Sequence, residues 1–130
     1  KLKAATGYTL KITPYCVVNG KNIYAPAAKQ VKTATAPAAV KLKAVKKTGR
    51  SKVKLTWKKT TGATGYEIYM KTNNAGYKKI KSISKAKTVS YAKTGLKKGK
   101  TYSFRLRAYK TVNGSKIYGA YSKVKKIKLR

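Results

Sequence analysis

Acidic side chains are almost absent from this sequence. Glu67 is the only Asp or Glu in 130 residues, and there is no histidine. Most hydrolytic and acid–base mechanisms draw on a histidine or a pair of carboxylates, so the chain is expected to be non-enzymatic. Zinc takes Cys, His and carboxylate ligands, and calcium takes several oxygens, usually with net negative charge. Cys16 and Glu67 offer too little for either, so no metal site and no cofactor are expected. One cysteine excludes an internal disulfide framework, and Cys16 is expected to be a small buried hydrophobe, with an intermolecular disulfide as the other reading. No run approaches the roughly 20 apolar residues of a membrane span, and no signal peptide opens the sequence. Residue 1 is Lys rather than Met, which suggests a piece of something longer.

What is present is positive charge and a β pattern. Lys and Arg number 34, for a formal net charge of +33, yet 42% of residues are hydrophobic and 11 are Tyr. Apolar and polar residues alternate with period two, which marks half-buried strands. Val53, Leu55 and Trp57 share one face of a strand whose other face carries Lys52, Lys54 and Lys58. Tyr66, Ile68 and Met70 alternate in the same way, as do Tyr102, Phe104, Leu106 and Ala108. Shorter strands are expected at Val40 to Val45, Tyr77 to Ile83, Thr88 to Tyr91, and Lys116 to Leu129 with a break near Gly119. Turn signals separate them, of which Asn113-Gly114 is the strongest because Asn-Gly supplies the positive φ angles of a type I′ hairpin turn. No helical stripe appears. Strands about ten residues apart indicate a β-sandwich of two antiparallel sheets.

The sequence also repeats itself at an offset of about 94 residues. Tyr8, Tyr15, Val18, Asn19, Gly20, Ile23 and Tyr24 recur as Tyr102, Tyr109, Val112, Asn113, Gly114, Ile117 and Tyr118. A sandwich of this kind needs about 100 residues. Residues 1–36 therefore read as the last two strands of a truncated module and residues 37–130 as a complete one, joined through Ala34-Thr35-Ala36-Pro37-Ala38-Ala39. An isolated hairpin is marginal in water. The apolar face of Tyr8, Leu10 and Ile12 thus implies either a boundary that divides an upstream module or strand completion by another chain.

Residues 37–130 resemble a fibronectin type III domain, an immunoglobulin-like β-sandwich. Val53-Lys54-Leu55-Thr56-Trp57 is similar to its B strand with the core tryptophan, and Gly65-Tyr66-Glu67-Ile68-Tyr69 to its C strand. Leu96-Lys97-Lys98-Gly99-Lys100-Thr101-Tyr102 resembles the E–F corner and the F-strand tyrosine, whose hydroxyl is expected to bond the corner backbone. The Lys- and Tyr-rich wording is similar to tandem modules of secreted and surface proteins of Gram-positive bacteria. The resemblance implies a spacer, an adhesion unit or an accessory of a carbohydrate-active enzyme, secreted or at the cell surface. The turn Thr111-Val112-Asn113-Gly114-Ser115 lacks Arg-Gly-Asp, so integrin binding does not carry over.

The lysines are spread over the whole chain, and a surplus of +33 repels itself. An anionic polymer would offset that repulsion: a teichoic acid, a glycosaminoglycan or a nucleic acid, bound in a strongly salt-dependent way. On the sheet that holds strands C and F, the outward residues should be Tyr69, Lys71, Arg105, Arg107 and Tyr109. Arginine and tyrosine together can stack on sugar rings or bases and fork onto phosphates, which makes these five the candidate ligand contacts. Three functions follow: a non-catalytic spacer or adhesion module that associates with anionic polymers, a dedicated nucleic-acid or glycosaminoglycan binder, and a protein-recognition module for an acidic surface.

Overall fold

A computed structural model describes residues 1–130 and consists of strands, turns and irregular segments, with no helix. The strands in chain order are β1 (Gly7–Ile12), β2 (Tyr15–Val18), β3 (Lys21–Tyr24), β4 (Lys29–Ala34), β5 (Leu42–Gly49), β6 (Lys52–Trp57), β7 (Gly65–Thr72), β8 (Lys78–Ile83), β9 (Ser90–Lys93), β10 (Thr101–Val112), β11 (Ser115–Tyr118) and β12 (Lys125–Lys128). One antiparallel sheet has the order β5-β6-β9. The other runs β11-β10-β7-β8, and β12 continues the β11 edge along the first residues of β10.

Alternation along each strand fills the space between these sheets. Val53, Leu55 and Trp57 face Tyr66, Ile68, Tyr102, Phe104, Leu106 and Ala108, all within one core cluster that Val40, Leu42, Leu96 and Leu129 close at its ends. The Trp57 and Tyr66 rings meet edge-on at 5.5 Å. Each large side chain buried this way contributes about 2–3 kcal/mol. Tyr66 stays satisfied because its hydroxyl accepts from the Thr60 N–H at 3.0 Å and donates to the Ala86 carbonyl at 3.2 Å.

Local signals appear where expected. Asn113 and Gly114 turn with φ of 50° and 78°. The Lys97 N–H donates to the Tyr102 hydroxyl at 2.7 Å, and that hydroxyl donates to the Lys97 carbonyl at 3.3 Å, which forms the corner. Other boundaries shift for backbone reasons. Thr88 precedes β9 because its N–H closes a turn on the Lys85 carbonyl at 3.0 Å. The break near Gly119 extends to Val124. There the Ser122 N–H donates to the Leu106 carbonyl at 2.8 Å and the Ser122 hydroxyl accepts the Leu106 N–H at 3.1 Å, so β10 keeps partners while its edge strand is interrupted. The small-residue segment before β5 is packed down: Pro37 is buried, and a Cβ on Gly119 would collide with its carbonyl.

The first 36 residues form an exposed ribbon. β1 pairs with β4, and β2 pairs with β3 at its far end. Leu10, Ile12, Tyr15 and Val17 are each more than half exposed. Cys16, expected in a core, is exposed as well, because no second sheet covers the ribbon. Ala5 is buried against Gly62 and ties the base of the ribbon to the sandwich.

Candidate functional site

The outer face of the β7–β10 pair holds the cluster of charged and aromatic residues, and its register explains the arrangement. Arg107 lies opposite Glu67, Arg105 opposite Tyr69, and Ser103 opposite Lys71. Glu67 points away from the hydrophobic core yet is 0% exposed. Tyr69 donates its hydroxyl to Oε2 at 2.7 Å, and Arg107 donates to the same oxygen from Nη2 at 3.0 Å and from Nε at 3.3 Å. Oε1 accepts from Lys79 at 3.2 Å and from the Tyr118 hydroxyl at 3.3 Å, with the Lys116 ammonium 3.8 Å away. Burial by itself would raise the carboxyl pKa. The hydrogen bonds from Tyr69, Arg107 and Lys79 outweigh it and hold Glu67 at about 2. Desolvation and the neighbouring carboxylate push the Tyr69 phenol well above its usual range. Burial would lower the Arg107 pKa, but the hydrogen bond to Glu67 outweighs it and the net shift is upward.

The two arginines are occupied internally. The Arg105 guanidinium lies between the Tyr77 and Tyr121 rings, 4.0 and 3.9 Å from their centroids, and its buried Nε has no hydrogen-bond partner. Arg107 lies 3.7 Å over the Tyr118 ring and donates to the Tyr69 hydroxyl at 2.9 Å. Such cation–aromatic contacts contribute about 0.5–2 kcal/mol each.

Of the five residues expected on this face, Tyr69, Arg105 and Arg107 are gathered into this cluster, and Lys71 joins it through Tyr77, 5.4 Å from that ring. Tyr109 is on the outer side of β10 but not on the surface. It is 3% exposed and donates its hydroxyl to the Ile83 carbonyl at 3.2 Å, and Lys116 lies 4.4 Å over its ring. Gly65, directly across the ladder, makes room for that ring: a Cβ there would lie 2.6 Å from the Tyr109 hydroxyl. Sequence reasoning missed Tyr77, Tyr118 and Tyr121 and the enclosure of Glu67. The signal available was the single acid on a strand expected to lie beside Arg105 and Arg107. Beside the cluster, a polar cleft of about 280 Å³ is lined by Lys71, Asn73, Asn74, Thr101, Ser103 and Lys126.

A three-stranded sheet packed on a second sheet in which β11 and β12 share one edge, with a corner tyrosine entering the long strand, is the architecture of an immunoglobulin-like sandwich. The chain belongs to the fibronectin type III domain family, whose model matches residues 35–122. β5, β6, β7, β8, β9 and β10 then occupy the A, B, C, C′, E and F places, and β11 with β12 the G place. In fold the chain is similar to the twitchin kinase region from C. elegans (17% identity, TM-score 0.58), covering 72% of this chain but only 17% of that one. It is also similar to the fibronectin type-III domain of human fibronectin type III domain containing protein 3 (20% identity, TM-score 0.56), with 73% and 87% of the two chains covered. A protein described as a myokine gives 17% identity and a TM-score of 0.52 over 72% of this chain and 95% of its own. A sequence comparison with curated proteins returned no match. The family is a generic non-catalytic module.

Proposed function

We propose that the chain is a non-catalytic spacer or adhesion module of a secreted or cell-surface bacterial protein of Gram-positive type, which associates electrostatically with anionic polymers. One observation carries the reading. Glu67, the only acidic side chain, is fully buried and spent on Arg107, Lys79 and Lys116, so no exposed side chain is negative. The accessible side-chain charge is then all of one sign, carried by lysines together with Arg50 and Arg130. Such a field concentrates polyanions by counterion release rather than by shape. A teichoic acid in a bacterial wall has this chemistry, as do glycosaminoglycans and nucleic acids.

The test is a salt series on immobilised teichoic acid, heparin and DNA. The expected result is retention on all three at low salt, with the logarithm of affinity falling linearly with that of salt and no preference among polymers. Arg105→Ala and Arg107→Ala leave the slope nearly unchanged, because both guanidiniums already have partners within the fold. No retention on any polymer at low salt would end the proposal.

A second reading, a dedicated nucleic-acid or glycosaminoglycan binder, is favoured by the all-polar cleft between Lys71 and Lys126. It expects retention on one polymer to persist at about 0.15 M salt, where the screening length is about 8 Å, and to be lost in Lys71→Ala and Lys126→Ala.

A further inference from the structure

The ribbon of residues 1–36 reproduces the β10–β11–β12 hairpin in detail. Tyr8 is opposite Thr33 as Tyr102 is opposite Ile127, and Tyr15 is opposite Tyr24 as Tyr109 is opposite Tyr118, each pair 94 residues apart. The Ala25 N–H donates to the Pro14 carbonyl at 2.9 Å, as the Gly119 N–H does to the Ala108 carbonyl at 2.9 Å. The Lys3 N–H donates to the Tyr8 hydroxyl at 3.0 Å, which repeats the corner of Lys97 and Tyr102. Asn19 and Gly20 turn with φ of 50° and 74°, matching Asn113 and Gly114. Tyr15 and Tyr24 pair their rings at 5.5 Å, as Tyr109 and Tyr118 do at 6.2 Å.

Two things that surround β10 are missing around β1. The other edge of β10 is paired with β7, whereas β1 has β4 alone. Phe104 and Leu106 are 0% exposed beneath the β5-β6-β9 sheet, whereas Leu10 and Ile12, in the same places, are 52% and 54% exposed. The second copy therefore shows what fits the first: a strand along the Gly7–Ile12 edge and an apolar sheet across the Tyr8, Leu10 and Ile12 face. β1 ends at Ile12, and Pro14 takes the place that Ala108 has within the longer β10.

We propose that residues 1–36 are the closing hairpin of an incomplete module, and that its open edge and apolar face take up strands equivalent to β5–β9, carried by the same polypeptide ahead of Lys1. The 94-residue period sets the place of that block, since β9 ends at Lys93 and Lys1 corresponds to Gly95. A second copy of this chain has no such block free, because its β5–β9 already pair with and pack on its own β10–β12. This inference stands apart from the electrostatic reading of the sandwich surface.

The experiment extends the full chain at its N-terminus with a copy of residues 37–94 and follows amide hydrogen exchange in Gly7–Ile12. The expected result is exchange on the order of a hundredfold slower than in the unextended chain, approaching that of Thr101–Leu106. A second form of the extended chain carries Leu10→Phe and Ile12→Leu, so that the inner residues match those the added block already covers. Exchange in Gly7–Ile12 that stays fast in both forms overturns the proposal. Sedimentation of the unextended chain is expected to give a monomer. A dimer that protects Gly7–Ile12 would instead assign the face to a second copy and overturn the same-polypeptide occupant.

Discussion

Glu67 makes this protein unusually simple to titrate. Apart from the terminal carboxyl, no other carboxylate and no histidine ionises between pH 2 and pH 7. The carboxyl is held at about 2 in the fold against an ordinary value of 4.5. A depressed folded-state pKa means that the stabilisation is fully present above pH 4.5 and is lost as pH falls through about 2. The size is about 3 kcal/mol. Thermal melts are therefore expected to be flat from pH 5 to 7 and to fall steeply on acidification to pH 2. Glu67→Gln should start about 3 kcal/mol less stable, because Arg107 loses its carboxylate, and should show almost none of that acid dependence. A wild-type melting temperature that does not move between pH 5 and 2 would contradict the buried cage. Gly65 gives a second residue-level expectation. Its missing Cβ is where the Tyr109 ring and the Ile83 carbonyl sit, so Gly65→Ala should cost about 2–3 kcal/mol in urea unfolding through overpacking.

Among the elements, the corner and the long strand β10 organise the sandwich. Removing the Tyr102 hydroxyl in Tyr102→Phe leaves the Lys97 N–H without its 2.7 Å partner, and a loss of about 1–2 kcal/mol in chemical denaturation is expected. The same substitution at Tyr8 should change global stability by less than about 0.5 kcal/mol, because that corner belongs to a ribbon with little packed on it. Equal effects at the two tyrosines would show that the ribbon is as cooperative as the sandwich. The long strands were readable from alternation: β6, β7 and β10 appear where Val53, Tyr66 and Phe104 place them. Their ends were less readable. Thr88 falls in a turn and Ser122 substitutes for a strand, and both depend on which backbone groups find partners across the sheet.

At the scale of the whole molecule, self-repulsion is the dominant long-range term. With a net charge of +33 and no exposed acidic side chain, added salt should stabilise the fold. The melting temperature at pH 7 is expected to rise by several degrees between about 0.01 and 0.15 M salt, as the screening length shortens from about 30 to 8 Å. Calorimetry in sodium chloride checks this, and a melting temperature that falls with salt would mean that the Glu67 ion pairs outweigh the repulsion. The same field would make the proposed polyanion binding salt-sensitive, so one titration series reports on both.

Alternation of apolar and polar residues was enough to indicate an all-β sandwich and which faces are apolar, Asn113-Gly114 marked the hairpin turn, and self-similarity at about 94 residues marked the hairpin that recurs. These follow from interactions between near neighbours, whose spacing is written in the chain itself. Tertiary structure alone decided that Glu67 is enclosed, that Tyr109 is covered, that Arg105 is stacked between Tyr77 and Tyr121, and that Cys16 and Leu10 face water. Each of these depends on what another segment brings across a sheet, and Tyr121 comes from an irregular stretch with no period to announce it. The recurring hairpin has its inner face covered in one copy and bare in the other, because burial belongs to the covering sheet and not to the strand it covers.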